Sequence, residues 1–247
     1  MPADTLSRDA RHLALPQVGA DGQRKISAGT ALLIGMGGIG CPAATYLASS
    51  GIGKLLICDF DTVDETNLGR QVLYGPGHVG QFKAEVAAAR LRKVNPDVEV
   101  TAIAKRLDEA ALNAAVVEAD VVLDGCDNFA TRFQVNDACV AASRRLITGS
   151  AIRFEGQLAV FGPDYARSPC YRCLYIEADE SLGNCAGNGV LAPVPGVVGT
   201  LMAAEALKFL AGIDEAAPVL RLYDALATEF RHLGIRKREN CQACAAA

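Results

Sequence analysis

The sequence lacks features that would direct a protein out of the cytoplasm. Its first twelve residues, MPADTLSRDARH, are polar, so they do not resemble a secretory signal. The longest apolar stretch, Gly189 to Gly212, contains two prolines together with Glu205 and Lys208, which makes it a poor membrane span. We therefore expect a cytoplasmic protein with no membrane partner.

Basic runs and histidine patterns are also missing. The net charge is −4 and no basic run is long, which argues against a nucleic-acid partner. The three histidines show no partner pattern, so none is assigned a role. No linker-like stretch divides the 247 residues and no internal repeat is visible, which favours one domain over residues 1–247.

The stretch from Thr30 to Asp61 predicts a nucleotide site. An apolar run is followed by Gly-Met-Gly-Gly-Ile-Gly, a helical pattern and a second apolar run that ends on Asp59. Glycines let the backbone approach a phosphate, and the following helix start offers unpaired N–H groups. Asp59 lies 19 residues after Gly40, where a carboxylate would meet ribose hydroxyls. The alternative is a glycine turn with a purely structural role.

Strands and helices alternate through the first half of the chain. Strands are expected at Ala31–Ile34, Leu55–Cys58, Val98–Ile103, Val121–Leu123 and Leu146–Thr148, and helices at Lys83–Val94, Asp108–Glu118 and Thr131–Ala142. This alternation predicts an α/β fold with a Rossmann-like, doubly wound parallel sheet. Asp59 and the turn at 124–128 would both lie at carboxyl ends of strands and face one site.

The second half changes character. Strands near Gln157–Phe161, Val219–Tyr223 and Glu229–Leu233, with an apolar helix at Val197–Leu210, predict antiparallel strands added to the same sheet, which makes the sheet mixed. We divide the chain into a helical segment at 1–28, a nucleotide-binding half at 29–150 and a second half at 151–247.

Nine cysteines are present, and four of them form two Cys-x-x-Cys pairs. With no export signal, disulfides explain the high count poorly. Cys170, Cys173, Cys241 and Cys244 together predict a closed, structural zinc site of four thiolates. The alternative is a set of unrelated thiols or redox pairs.

A polar loop follows Asp59 and contains Asn67, Arg70 and Gln71, and Lys83 opens the next helix. Arg and Lys side chains suit phosphate oxygens, so two cations near the glycine turn suggest a triphosphate. The alternative is a solvated surface loop.

Two further side chains are ambiguous from sequence. Asp127 is a candidate Mg²⁺ ligand, although an aspartate there could instead cap the next helix, and Asp124 has the same ambiguity. Cys185 lies in a loop rich in Gly and Asn and is a hypothetical nucleophile, although a lone cysteine is more often inert.

Taken together, these segments resemble the MoeB/ThiF family, the bacterial relatives of ubiquitin-activating enzymes. The resemblance covers nearly the whole chain in order. It rests on GMGGIG at 35–40, DFDTVDETNLGRQ at 59–71, Lys83, DGCDN at 124–128, EGQLAVF at 155–161, CYRC at 170–173, GVLAPVPGVVG at 189–199 and CQAC at 241–244.

The resemblance implies an adenylyltransferase that uses ATP and Mg²⁺. Its substrate would be a small ubiquitin-like sulfur-carrier protein, like MoaD or ThiS, that ends in Gly-Gly. The carrier's terminal carboxylate would attack the α-phosphate and release pyrophosphate, before thiocarboxylate formation in molybdopterin or thiamin biosynthesis. The resemblance also implies a homodimer with structural zinc, a carrier-binding second half, and a sulfurtransferase as a further partner.

The same resemblance assigns roles to individual residues. Arg70, Lys83 and Asp127 would be catalytic, Arg11 would be lent across the dimer interface, and Cys185 stays a hypothesis. The residues expected to bind ATP and Mg²⁺ are Gly35, Gly37, Gly38, Gly40, Asp59, Asp61, Asn67, Arg70, Gln71, Lys83, Asp127 and Asn128.

Two other classes remain open. An NAD-binding oxidoreductase could use the same glycine loop, but it would need a catalytic proton donor and a substrate domain, and neither is evident. A non-catalytic scaffold could bind a partner through the cysteine region, but it would not need Arg70, Lys83 and Asp127.

Overall fold

The computed structural model describes residues 3–176, 188–213 and 218–245. The strands are β1 (Thr30–Ile34), β2 (Lys54–Cys58), β3 (Glu99–Ile103), β4 (Val121–Asp124), β5 (Arg145–Ile152), β6 (Glu155–Phe161), β7 (Val219–Asp224) and β8 (Glu229–Gly234). The helices are α1 (Ala3–Leu13), α2 (Gly19–Ala28), α3 (Gly40–Ser49), α4 (Lys83–Val94), α5 (Glu109–Glu118), α6 (Phe129–Ala141), α7 (Tyr171–Leu174) and α8 (Pro193–Ala211).

The strands form one eight-stranded mixed sheet in the order β3-β2-β1-β4-β5-β6-β7-β8. Strands β1 to β5 pair in parallel, and β6, β7 and β8 continue the sheet in antiparallel pairs. This mixed topology confirms the predicted fold class. The strand order reverses between β1 and β4, and a crevice opens at such a switch point beyond the carboxyl ends of the strands.

The sheet separates two layers of buried side chains. Successive residues of a strand point to opposite faces, so Leu33 packs in the layer formed with α3, α4 and α8, whereas Leu32 packs in the layer with α5 and α6. Both leucines are at most 1% exposed. The β1 run is therefore apolar throughout because both of its faces are covered.

Helix α8 is long and apolar enough to cross a membrane by length and composition alone. Half of its apolar window is nevertheless buried in the fold. A side chain at Gly199 would overlap the Ile39 carbonyl oxygen, so α8 lies directly against the start of α3. This helix begins at Pro193, four residues before the predicted start. Proline fits the first turn of a helix because the backbone N–H that it lacks has no helical partner there.

The N-terminal segment was predicted to be helical over 1–28. Within the described residues it forms two helices, α1 and α2, separated by a turn that contains Pro16. Proline has no backbone N–H and fixes φ, so it interrupts a continuous helix at this point.

Candidate nucleotide-binding site

A cavity of about 540 Å³ lies at the carboxyl ends of β1, β2 and β4. The predicted nucleotide-binding residues that line it come from five separate segments of the chain. Of the residues predicted to bind a nucleotide, those that line it are Gly35, Gly37, Gly38, Asp59, Asp61, Asn67, Arg70, Gln71, Lys83, Asp127 and Asn128.

The glycine turn between β1 and α3 is sterically closed to larger residues. Gly35 has a φ of +89°, which L side chains rarely adopt, and a side chain there would meet the Gly125 carbonyl at 3.0 Å. A side chain at Gly40 would overlap the Gly35 carbonyl oxygen. Gly40 does not line the cavity. Its lack of a side chain instead allows the Gly35 carbonyl to pack against the start of α3. The turn leads into α3, whose first N–H groups are suited to an anion.

Asp59 is held by two backbone donors. The Met36 N–H donates to Asp59 Oδ2 at 2.7 Å, and the Asp61 N–H donates to Oδ1 at 2.9 Å. Burial raises the pKa of Asp59 above its ordinary value, although the nearby Lys83 ammonium acts in the opposite direction. The carboxylate is therefore fixed between the glycine turn and the end of β2.

Lys83 reaches the cavity from the first turn of α4. Its side chain is only 8% exposed, and its ammonium lies 3.1 Å from Asp61 Oδ2. The Tyr74 hydroxyl donates to the Met36 carbonyl at 2.8 Å and lies 3.3 Å from the Lys83 carbonyl. Buried Tyr74 thus connects the backbone of the glycine turn to the start of α4.

Arg70 and Gln71 occupy the polar loop next to the turn. The Arg70 guanidinium donates to the Thr66 carbonyl at 3.0 Å and lines the cavity. Gln71 is 4% exposed, and its Oε1 has no hydrogen-bond partner among the described residues. A buried carbonyl oxygen left unpaired is costly, so this oxygen is well placed to accept from a bound ligand.

The two aspartates at the turn after β4 have different environments. Asp124 is 1% exposed and accepts from the Cys126 N–H at 3.0 Å and from the Thr148 hydroxyl at 3.1 Å. Asp127 is exposed in the cavity wall. Asn128 caps α6, because its Oδ1 accepts from the Thr131 N–H at 2.9 Å. Asp127 is therefore not the helix cap, which was its alternative role.

Sequence reasoning did not single out Arg132. Its guanidinium is 3.8 Å from Asp124, donates to the Thr148 hydroxyl at 2.9 Å, and also contacts the Cys126 carbonyl. This buried network supports the turn that carries Asp127. In the sequence, Arg132 is simply an arginine five residues after Asp127. Its role depends on contacts that form only when β4, β5 and α6 pack together.

Phe60 and Arg106 were also missed. The Arg106 guanidinium carbon lies 4.9 Å from the centre of the Phe60 ring, and both residues line the cavity. They are 46 positions apart in sequence, so only the pairing of β2 with β3 places them together.

The four predicted cysteine ligands lie together outside the cavity, in the core layer shared with α5 and α6. The sulfur atoms of Cys170, Cys173, Cys241 and Cys244 all lie within 4.8 Å of one another, and all four residues are buried. Two Sγ–Sγ distances are 3.5 Å, far longer than a disulfide. A tetrahedron with Zn–S bonds of about 2.3 Å has edges of roughly 3.8 Å, so the cluster is compatible with zinc.

Two other predicted residues are not part of the described cavity. Arg11 lies near the exposed end of α1 and does not line it. Cys185 lies outside the described residues. Asp9, two residues before Arg11, is 4% exposed and lies beside Gly51.

A sequence comparison assigns the chain to a family. The ThiF family matches residues 10–243. The chain belongs to the ThiF family. It is 45% identical to the sulfur carrier protein ThiS adenylyltransferase of Escherichia coli, over 96% of this chain and 94% of that protein. It is 42% identical to the molybdopterin-synthase adenylyltransferase of the same species, over 95% and 94% of the two chains.

A longer ThiF-family relative matches over only part of its length. The adenylyltransferase and sulfurtransferase MOCS3 of Sus scrofa is 44% identical over 98% of this chain, and this chain spans 53% of it. Among solved structures, E. coli MccB with ATP superimposes with a TM-score of 0.78 and 27% identity, covering 91% of this chain and 68% of that chain.

Proposed function

We propose that this ThiF-family chain adenylates the C-terminal glycine carboxylate of a small ubiquitin-like sulfur-carrier protein. The observation that carries the proposal is the single cavity in which the glycine turn, Asp59, Arg70, Lys83 and Asp127 converge. The names of the E. coli relatives support a sulfur carrier as substrate, and the solved MccB complex supports ATP as the nucleotide.

The arrangement suits attack by a carboxylate on the α-phosphate. One carboxylate oxygen forms a bond to the phosphorus, the bond to the β-phosphate oxygen breaks, and pyrophosphate leaves with that electron pair. Two anions must approach each other, so the reaction depends on cations rather than on a base. Lys83 and Arg70 supply them, and a phosphate can replace Asp61 as the partner of the Lys83 ammonium.

The acidic groups fit a magnesium ion. The Asp124 carboxylate already accepts hydrogen bonds from the Cys126 N–H and the Thr148 hydroxyl. The exposed Asp127 carboxylate is not hydrogen-bonded to any described residue. Mg²⁺ usually takes one or two carboxylates together with phosphate oxygens, so Asp127 would hold it. When bound, the ion neutralises charge on the polyphosphate.

The cysteine cluster fits a structural zinc ion. Four thiolates fill a tetrahedral site and leave no open position for chemistry. Cys241 and Cys244 lie in the C-terminal segment, whereas Cys170 precedes α7 and Cys173 lies within it. Zinc would therefore hold the C-terminal segment against α7.

An NAD-dependent oxidoreductase fits the cavity less well. Its described lining contains no histidine, the commonest proton donor, and it includes two cations beside the phosphate turn. Those cations favour a triphosphate.

We extend the proposal to the setting of the enzyme. The protein would act in the cytoplasm as a homodimer with a ThiS-like or MoaD-like carrier. The name of the MOCS3 relative joins adenylyltransferase and sulfurtransferase, which supports a sulfurtransferase as a further partner. Sedimentation equilibrium tests the dimer, and Arg11→Ala tests whether that arginine contributes to exchange.

Carrier-dependent ATP–pyrophosphate exchange tests the activity. Exchange is expected with a ThiS-like or MoaD-like carrier ending in Gly-Gly and is expected to disappear when the last glycine is removed. Comparing the two carriers identifies the pathway. Tight binding of NAD without binding of ATP–Mg²⁺ would overturn the proposal.

A further inference from the structure

We infer that Tyr171 is a positioning residue for adenylation, because its hydroxyl supports Arg132 and thereby the turn that carries Asp127. The inference rests on the proposed function and adds to it a residue outside the nucleotide cavity. Tyr171 is buried and does not line that cavity. It lies between Cys170 and Cys173 of the four-cysteine cluster, so it connects that cluster to the nucleotide site.

Helix α7 is fixed against α6 at three points. The backbone N–H of Tyr171 donates to Asn136 Oδ1 at 2.8 Å, and the ring centres of Phe133 and Tyr171 are 5.8 Å apart. Arg172 donates to both carboxylate oxygens of Asp137, at 2.7 and 2.6 Å. Positions 133, 136 and 137 share one face of α6, because residues three and four apart on a helix are neighbours. Tyr171 is therefore held in a fixed place beside this face.

The side chains of Tyr171 and Arg132 meet between the two helices. Both line a second cavity of about 10 Å³, which is too small for more than one water molecule. Burial lowers the pKa of the Arg132 guanidinium, but the Asp124 carboxylate and a side-chain hydrogen bond with Tyr171 act in the opposite direction, and the pKa is raised overall. Burial also raises the pKa of Tyr171, so its hydroxyl is a neutral partner for this buried cation.

Arg132 connects this contact to the turn after β4. Its guanidinium donates to the Thr148 hydroxyl and to the Gly149 carbonyl, both at 2.9 Å, which fixes it to β5. The same group contacts the Cys126 carbonyl, which belongs to the peptide bond that leads into Asp127. A movement of the guanidinium would therefore move the backbone of Asp127.

The Tyr171 hydroxyl matters because a guanidinium has five N–H donors to satisfy. A buried donor that loses its acceptor is costly, so Arg132 would shift towards another acceptor if the hydroxyl were removed. The described residues at this face otherwise offer it ring atoms of Phe133 and Tyr171. We therefore expect loss of the hydroxyl to displace Asp127 while the fold is retained.

Carrier-dependent ATP–pyrophosphate exchange by Tyr171→Phe tests the inference. The variant keeps the ring that packs against Phe133 and removes only the hydroxyl. A small misplacement of a group at the reacting centre can cost about a hundredfold, so kcat is expected to fall about 10- to 100-fold. ATP affinity, measured by calorimetry without added Mg²⁺, should stay near that of the parent because the glycine turn, Asp59 and Lys83 are unchanged. Zinc content should also match that of the parent.

A double variant tests whether Tyr171 acts through Asp127. Substitutions at independent sites add in free energy, whereas those at coupled sites do not. Adding Tyr171→Phe to Asp127→Ala is therefore expected to cause little further loss of exchange.

Tyr165→Phe is the matched control. Tyr165 is a buried tyrosine of the same core layer, and its hydroxyl donates to the Arg144 carbonyl at 2.8 Å, away from the nucleotide cavity. This variant should lose a comparable amount of stability in calorimetry but keep the exchange rate of the parent.

Near-normal exchange in Tyr171→Phe, or an equal loss in Tyr165→Phe, would overturn the inference. Full multiplication of the two losses in the double variant would also overturn it. The proposed function is judged separately, because it fails only if the parent protein itself shows no exchange.

Discussion

The backbone N–H of Met36 donates a hydrogen bond of 2.7 Å to the carboxylate of Asp59. This contact joins the glycine turn after β1 directly to the acid at the end of β2. Because the Asp61 N–H holds the other carboxylate oxygen at 2.9 Å, the position of Asp59 relative to the turn is set before any nucleotide binds. The spacing between the phosphate and ribose contacts is therefore built into the backbone.

Asp59→Asn is expected to weaken ATP binding about 10- to 100-fold. The carboxamide carries no charge, and its NH₂ group would face one of the two backbone donors, so a charge-assisted contact worth about 1.5–3 kcal/mol is lost. Isothermal titration calorimetry measures the change. Asp21→Asn, which alters an exposed carboxylate on α2, is the control and should leave the affinity unchanged.

Adenosine binding should weaken on acidification through the pKa of Asp59. Burial raises the pKa of this carboxyl above its ordinary value of 3.8, so protonation begins at a higher pH than for an exposed aspartate. Only the ionised group accepts from all its donors, so affinity falls as pH is lowered. Titrations with adenosine avoid phosphate protonation, and Asp59→Asn should remove this pH dependence. An equally steep dependence in that variant would refute the assignment.

Gly40→Ala is expected to lower both the melting temperature and ATP affinity. The added methyl group would overlap the Gly35 carbonyl oxygen, and overpacking of this kind costs about 1–3 kcal/mol. That cost corresponds to a fall of roughly 2–12 °C in a domain of this size, measured by calorimetry. Gly77→Ala adds a methyl group in open space and should be nearly neutral. Equal stability of the two variants would contradict the steric account.

Asp127→Ala should reduce carrier-dependent ATP–pyrophosphate exchange at least about a hundredfold, the scale for loss of one electrostatic stabiliser. Its melting temperature should stay near that of the parent, because Asp127 is exposed. Asp124→Ala gives the contrasting result: it leaves Arg132 and the Thr148 hydroxyl without their shared acceptor, so melting temperature falls. Near-normal exchange in Asp127→Ala would refute its role.

Cys173→Ser is expected to lower zinc content and thermal stability together, because structural zinc contributes directly to folding. Atomic absorption and calorimetry measure the two quantities. Cys126→Ser is the control, since Cys126 lies in the nucleotide cavity rather than in the four-cysteine cluster. If Cys173→Ser kept the zinc content of the parent, the four-thiolate assignment would be wrong.

Local patterns in the sequence predicted most of the fold. The apolar runs at 31–34 and 121–123 are buried strands because both faces of a central parallel strand are covered. The predicted helix boundaries were less accurate where a capping residue sets the helix start. Helix α6 begins at Phe129, two residues before the predicted start, because the Asn128 side chain caps it. Proline in its first turn similarly extends α8 to Pro193.

The sequence by itself determined the chemistry available to this protein. The glycine spacing, the cations at Arg70 and Lys83, and the paired cysteines are local features whose meaning follows from residue type and separation. Only the tertiary structure decided which groups meet. Strand pairing places Arg106 over the Phe60 ring. Packing of β4, β5 and α6 places Asp124 beside Arg132 and leaves Asp127 in the cavity wall. Such contacts join residues distant in sequence, so they depend on register and packing that no local pattern encodes.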